Sequence, residues 1–271
     1  MEQINWRISP AATFAKFLFN TEANSVVLPP EWQAVLPQVL SNANDLGITQ
    51  EDLSSSHRFV DALEPLVSSN RLPELFAGVA QPVLEQINNE VSLRTGQLKH
   101  HWLIRGPGLL GLLEDYCPLF NLVLIDMWTT IPLQSTAGLP THMLLGEKYS
   151  AAVFAASLHD TNPFIPEVMR PAYIATFFAL QAQLSRNLNF ETVHARLSLA
   201  SCRLALSLGN AVDLNAVDEP SFQTAVDLWA GLPGCSLTES LWAASGEMIQ
   251  LEELTAFCLD WISQPDTGEV S

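Results

Sequence analysis

Asn121-Leu122-Val123-Leu124-Ile125-Asp126-Met127-Trp128-Thr129-Thr130-Ile131 decides how the chain is read, because it is the one stretch rich enough in β-branched and aromatic residues to make a strand. A strand leaves backbone donors and acceptors open, so either a second short strand pairs with it or the stretch is a buried helix. On both sides of it the apolar residues recur at helical spacing. Together these observations predict a mainly α fold, a compact multi-helix domain with a minor β element near residues 121–131. The 271 residues suit one large domain or two small ones. The expectation is a single mostly helical domain over 1–271, with a helical half 1–95 and a mixed α/β half 96–271 as the alternative.

Working outward toward the N-terminus, Pro73 opens a helix that runs to about Arg94, since Leu75, Val79, Val83, Ile87 and Val91 recur every four residues. Pro82 lies inside that stripe and predicts a kink. Thr49 caps a segment through Leu53, Phe59, Leu63 and Leu66, which Pro65 bends or ends. Shorter helices are expected from Pro30, carrying Trp32 and Val35, and over 38–44. Ser9-Pro10 makes a cap and first-turn pair ahead of Phe14, Phe17 and Leu18. Toward the C-terminus, Thr141 caps a helix through His142, Leu145, Tyr149, Val153 and Phe154. Pro163 and Pro166 interrupt it before a helix over 167–184. Asn189 caps a helix over 190–208, with the stripe Val193, Leu197, Ala200 and Leu204, and Gly209 is its expected left-handed terminator. Pro220 starts another helix, and the last runs over about 249–262.

Composition narrows the function more by exclusion than by assignment. Apolar residues make up 48% and charged residues 15%, which excludes a disordered chain. Twelve Lys and Arg face 29 Asp and Glu, for a net charge of −17. Such a surface repels phosphate backbones and anionic leaflets, and the three lysines Lys16, Lys99 and Lys148 form no basic cluster. No nucleic acid and no membrane partner is therefore expected. No apolar stretch approaches the roughly 20 residues of a membrane helix. The first residues, MEQINWRISPAATF, lack the basic and apolar regions of a secretory leader. Cys117, Cys202, Cys235 and Cys258 are widely spaced, without a C-x-x-C pair, and read as reduced, mostly buried thiols in a cytoplasmic protein.

The stretch most open to chemistry is His100-His101-Trp102-Leu103-Ile104-Arg105-Gly106-Pro107-Gly108. If Pro107 opens a helix, the amides of Gly108, Leu109 and Leu110 are free donors, and Arg105 adds a two-pronged fork for a carboxylate or phosphate. In the alternative, Arg105 pairs with a local acid while the glycines make a tight turn. Residues 102–110 resemble a W-x-x-R-G-P-G-L-L element found in a group of bacterial proteins with no established activity. In that group an apolar strand, a Gly-rich stretch, a histidine and an L-P-E-V-x-R-L element follow. Here the counterparts are residues 123–132, Ala137-Gly138, His142 and Ile165-Pro166-Glu167-Val168-Met169-Arg170, with Pro171 departing from the pattern. The resemblance covers about a quarter of the chain. It implies relatedness without a mechanism, and it groups Arg105, Gly106, Gly108, Glu167 and Arg170 as candidate ligand-binding residues with His142 as a candidate catalytic acid or base.

Other constellations are weaker. His100, His101, His142, Glu147, His159 and Asp160 lack the spacing of a zinc site, so no metal and no cofactor is expected. No G-x-S-x-G elbow occurs, and Cys202 sits in an apolar stripe. Asp213, Asn215 and Asp218 lack the glycine and terminal acid of a calcium loop. His194, Arg196 and Arg203 form a modest cationic stripe, expected to compensate nearby acids. These readings favour a non-catalytic intracellular interaction or accessory protein. A groove between its helices would take an apolar anchor, a protein partner or a second copy would supply it, and an acidic rim would steer a basic partner. The alternative is a small-anion-binding protein or enzyme using Arg105, the 106–110 helix N-terminus and His142.

Overall fold

The computed structural model describes residues 4–10, 12–13, 30–49, 51–52, 56–117, 124–131, 143–157, 162, 164–184 and 190–264. The fold is mainly α with one small sheet. The chain divides into two units, Met1–Lys99 with Leu124–Leu158, and His100–Val123 with His159–Ser271.

In the first unit, β1 (Ile4–Arg7), β2 (Ile125–Thr130) and β4 (Ala151–Ala155) run parallel, and β3 (Leu144–Leu145) pairs antiparallel with β4, in the order β1-β2-β4-β3. Every residue of β2 and β4 is buried, as expected where helices cover both faces of a parallel sheet. Around it lie α1 (Pro30–Gln33), α2 (Leu36–Asp45), α3 (Ser56–Ser68), a 3₁₀ turn at Leu72–Phe76 and the first part of α4 (Gln81–Tyr116). Trp32, Val39, Phe59, Leu63, Leu75, Ile87 and Val91 form one core. Val60, Trp128, Leu144, Ala151 and Val153 form a second.

Several expectations change here. The helix read over 141–154 is replaced, from residue 143 onward, by β3, a turn and β4. Ala151-Ala152-Val153-Phe154-Ala155 shows no polar alternation because both of its faces are buried, and such a run cannot be told from a helix by periodicity alone. The turn before β4 requires Gly146, since a Cβ there would lie 2.1 Å from the Tyr149 carbonyl oxygen. The helix expected over 73–94 is broken. Asn42 Nδ2 donates to the carbonyls of Leu75 and Ala77 at 2.9 Å, and Gly78 turns left-handed (φ 79°). Pro82 then falls in the first turn of α4, where a missing N–H costs nothing, so it is not a kink.

Helix α4 continues through Gly96, Gly106, Pro107, Gly108 and Gly111 to Tyr116. Pro107 therefore does not open a helix, and the backbone of 106–110 offers no N-terminal set of free amides. Its buried positions explain the continuity. Ile87, Val91, Thr95 and Leu98, then Trp102, Gly106, Leu109 and Leu113, follow steps of four, four and three. That 11-residue repeat, about 3.67 residues per turn, keeps the buried positions close to one stripe of the helix. Pro107 costs about 3 kcal/mol and each flanking glycine about 1. Burying Trp102, Leu109 and Leu113, at about 1.5–3 kcal/mol each, offsets this.

The second unit contains the end of α4, α5 (Met169–Gln183), α6 (Phe190–Ala211), α7 (Glu219–Ala225) with a π turn at Val226–Ala230, α8 (Ser236–Ser245) and α9 (Leu251–Ser263). Residues Met169 to Leu180 of α5 are buried on all sides, so this is the central helix of the unit. Gly209 lies within α6 and is not its left-handed terminator; Asp213 (φ 56°) takes that conformation instead. Gly209 is small because a Cβ would lie 2.0 Å from Asn215 Oδ1 and 2.6 Å from Met169 Cε.

The cationic stripe on α6 is also reread. Arg203 is fully buried and donates to the carbonyls of Ser245 (2.7 Å) and Met248 (3.0 Å) while stacking on Trp242. One stretch of seven residues earlier, Arg196 donates to the carbonyls of Trp261 (3.2 Å) and Gln264 (2.7 Å) and stacks on Trp261. Both guanidinium groups satisfy the orphan carbonyls at the C-terminal ends of α8 and α9, where positive charge also complements the helix dipole. Both cap helices, and at Arg203 carbonyls and the Ser207 hydroxyl stand where acids were expected.

Candidate functional site

His101, Ile104 and Arg105 on α4, with Pro166, Val168 and Leu214, line a cleft of about 290 Å³ in the second unit. Three features of the helix put them there. Trp102 turns inward, and its indole covers Gly106 so closely that a Cβ at 106 would lie 2.3 Å from the ring. His101 and Arg105, one turn apart, then face outward. Ile104 stands between them at 63% exposure. Arg105 is exposed and makes no hydrogen bond or ion pair with a described residue. An arginine beside an opening, free of local carboxylates, retains its full fork for an incoming group.

The other sequence candidates are distributed differently. Gly106 is a packing glycine beneath Trp102, and Gly108 is exposed with open space around it. Glu167 lies between two cleft residues, Pro166 and Val168, but its carboxylate turns to Arg170 Nη2 at 3.1 Å, and both side chains are largely buried. That pair secures the start of α5 and leaves Arg105, among the described candidates, open to a ligand. His142, together with Ala137, Gly138, His159 and Asp160, lies outside the described residues. The rings of His100 and His101 are 6.1 Å apart, and among the described residues no three His, Cys, Asp or Glu side chains come together as a metal site.

One carboxylate was missed. Asp126 on β2 is buried and accepts from Asn5 Nδ2 (2.6 Å), Arg7 Nε (3.0 Å) and the Tyr149 hydroxyl. Burial and the neighbouring Asp126 charge push the Tyr149 phenol well above its ordinary value, so it stays a donor. The cluster ties β1, β2 and the turn before β4 together, with the carboxylate's acceptors filled, and serves the sheet. An acid inside the apolar run 121–131 was the available signal, because a buried carboxylate must find donors.

The three buried thiols are quiet. Burial pushes Cys117 up to about 11 and Cys258 up to about 12, and Cys202 rises well above its ordinary value for the same reason. A buried thiol held protonated is a poor nucleophile.

A second opening, of about 580 Å³, lies in the first unit. It is lined by Trp32, by Gln86, Asn89, Glu90 and Leu93 on α4, and by Ile131 just past β2. No helix among the described residues is long and apolar enough to cross a membrane. Compared with protein families, curated proteins and solved structures, the chain matches none.

Proposed function

We propose that this chain is a cytoplasmic, non-catalytic interaction protein whose second unit takes an apolar anchor bearing a single carboxylate from a partner polypeptide. The observation that carries this reading is the free Arg105 guanidinium beside the exposed Ile104 at the mouth of the 290 Å³ cleft. Arginine matches a carboxylate in geometry as well as charge, and Ile104, Pro166, Val168 and Leu214 match an aliphatic body. The cleft falls just below the roughly 300–1,000 Å³ of sites for drug-sized ligands and cofactors, which suits one inserted side chain. A net charge of −17 disfavours polyanions such as nucleic acid, whereas one carboxylate needs only the local cation.

The test is isolation and crosslinking with the wild-type chain, Arg105→Glu and Ile104→Asp. Both positions are exposed, so the variants should fold normally. A companion chain that crosslinks around the cleft and is lost with both variants supports the reading. A companion retained equally by both variants, or crosslinks confined to other surfaces, refutes it.

A further inference from the structure

The 580 Å³ opening in the first unit has a different chemistry, and we infer that it binds a neutral, hydroxyl-rich small molecule of mono- to disaccharide size. Its position comes from the sheet. The three parallel strands end at Arg7, Thr130 and Ala155; Ile131, in the lining, is the first residue past β2. Arg94 Nη1 donates to the carbonyl of Ala156, the first residue past β4, at 3.3 Å. The 86–94 stretch of α4 thus lies along the carboxyl edge of the parallel strands, where open α/β sheets receive ligands.

Its lining selects the ligand class. Gln86, Asn89, Glu90 and Leu93 occupy positions i, i+3, i+4 and i+7 and share one face of the helix. Neither the Gln86 nor the Asn89 side-chain amide has a hydrogen-bond partner among the described residues. Each amide offers two donors and an acceptor, the complement of a hydroxyl, which both donates and accepts. Glu90 Oε1 takes two bonds from Arg94, at 2.8 and 2.5 Å, leaving Oε2 as a further acceptor while the pair carries no net charge. Among the described residues, the lining therefore gives no advantage to anions or cations. The exposed Leu93 supplies apolar surface for the C–H face of a sugar ring, with the edges of the buried Trp32 and Ile131 forming the floor beneath it. The volume sits within the usual small-molecule range, unlike the Arg105 cleft.

The test uses the intact chain labelled with ¹⁵N-tryptophan, which gives seven indole signals, Trp32 being assigned by Trp32→Phe. Maltose, cellobiose and N-acetylglucosamine are titrated to about 10 mM, enough to reveal complexes weaker than 1 mM. Glucose 6-phosphate and glucosamine are the charged controls. At least one neutral sugar should move the Trp32 signal, and Gln86→Ala and Asn89→Ala should each weaken it about tenfold. Both substitutions raise helix propensity at exposed positions, so folding is not at risk. The inference is overturned if no neutral sugar moves Trp32, if either charged control binds as well, or if binding survives both variants.

Discussion

Arg203 and Arg105 are the same residue on helices of the same unit, yet they have opposite surroundings. Arg203 is fully enclosed and its N–H groups meet the last carbonyls of α8. Arg105 stands exposed at a cleft with no partner among the described residues. A buried guanidinium without acceptors would cost several kcal/mol, so the fold must supply them. An exposed one faces no such demand, and its surroundings are free to serve something outside the chain. In this molecule, the partners an arginine has acquired separate structural arginines from available ones better than its neighbours in sequence do.

The comparison breaks first at Arg203. Arg203→Ala should lower unfolding stability by about 3–5 kcal/mol, since it orphans the carbonyls of Ser245 and Met248 and uncovers Trp242. Denaturant titration reads this as a lower midpoint at unchanged slope. Arg203→Met keeps most of the volume and isolates the hydrogen-bond share. If Met restored full stability, the capping role would be wrong. Arg203→Lys should recover less than half, because an ammonium cannot both fork between carbonyls and stack. Arg196→Ala, at the end of α9, should cost less, about 2 kcal/mol, with two carbonyls affected.

Alkaline pH sharpens the contrast between buried groups that keep their charge state and those that do not. Cys117 and Cys258 hold their protons to about 11 and 12 in the folded chain, against an ordinary value of 9.0. Because their folded values are raised, the stability they contribute is complete below about pH 9 and is lost as pH climbs toward the folded values. Under reducing conditions these two thiols should cost the wild type about 4 kcal/mol between pH 9 and 11, about 2 from each, and Cys258→Ala should show a shallower decline. The Arg203→Ala deficit should stay constant across pH 6–9, where guanidinium does not titrate.

How much of this was legible in the sequence follows from range. Helices such as α6 and α9 showed in their apolar stripes, since one turn of spacing is local information. The β2 strand showed because Ile, Trp and Thr crowd together. Its partner β1, only Ile4–Arg7, and the alanine-rich β4 did not, because pairing across 121 residues leaves no local mark. The stripe of α4 was hidden by Thr95 and Gly106, small residues in buried positions that look like interruptions. Arg105 was legible as an unusual cation, but Gly106 beside it was misread, since its need to be small comes from the Trp102 ring one turn away. The carboxyl-edge opening depends on where parallel strands end and could be found only in three dimensions.

The smallest effect on stability is expected at Arg105, and there the comparison is most exposed. Arg105→Glu should change unfolding stability by no more than about 0.5 kcal/mol, because no described group loses a bond. The same substitution should abolish retention of the proposed partner, since it sets a carboxylate against a carboxylate where a forked pair stood. Arg105→Lys should fall between, keeping charge without the fork. Measured side by side with Arg203→Ala, the pair should dissociate two properties: one variant unfolds easily, and the other folds normally and binds nothing. A stability loss at Arg105 comparable to that at Arg203 would mean the guanidinium is held within the fold after all, and the free cation on which the interaction site rests would disappear.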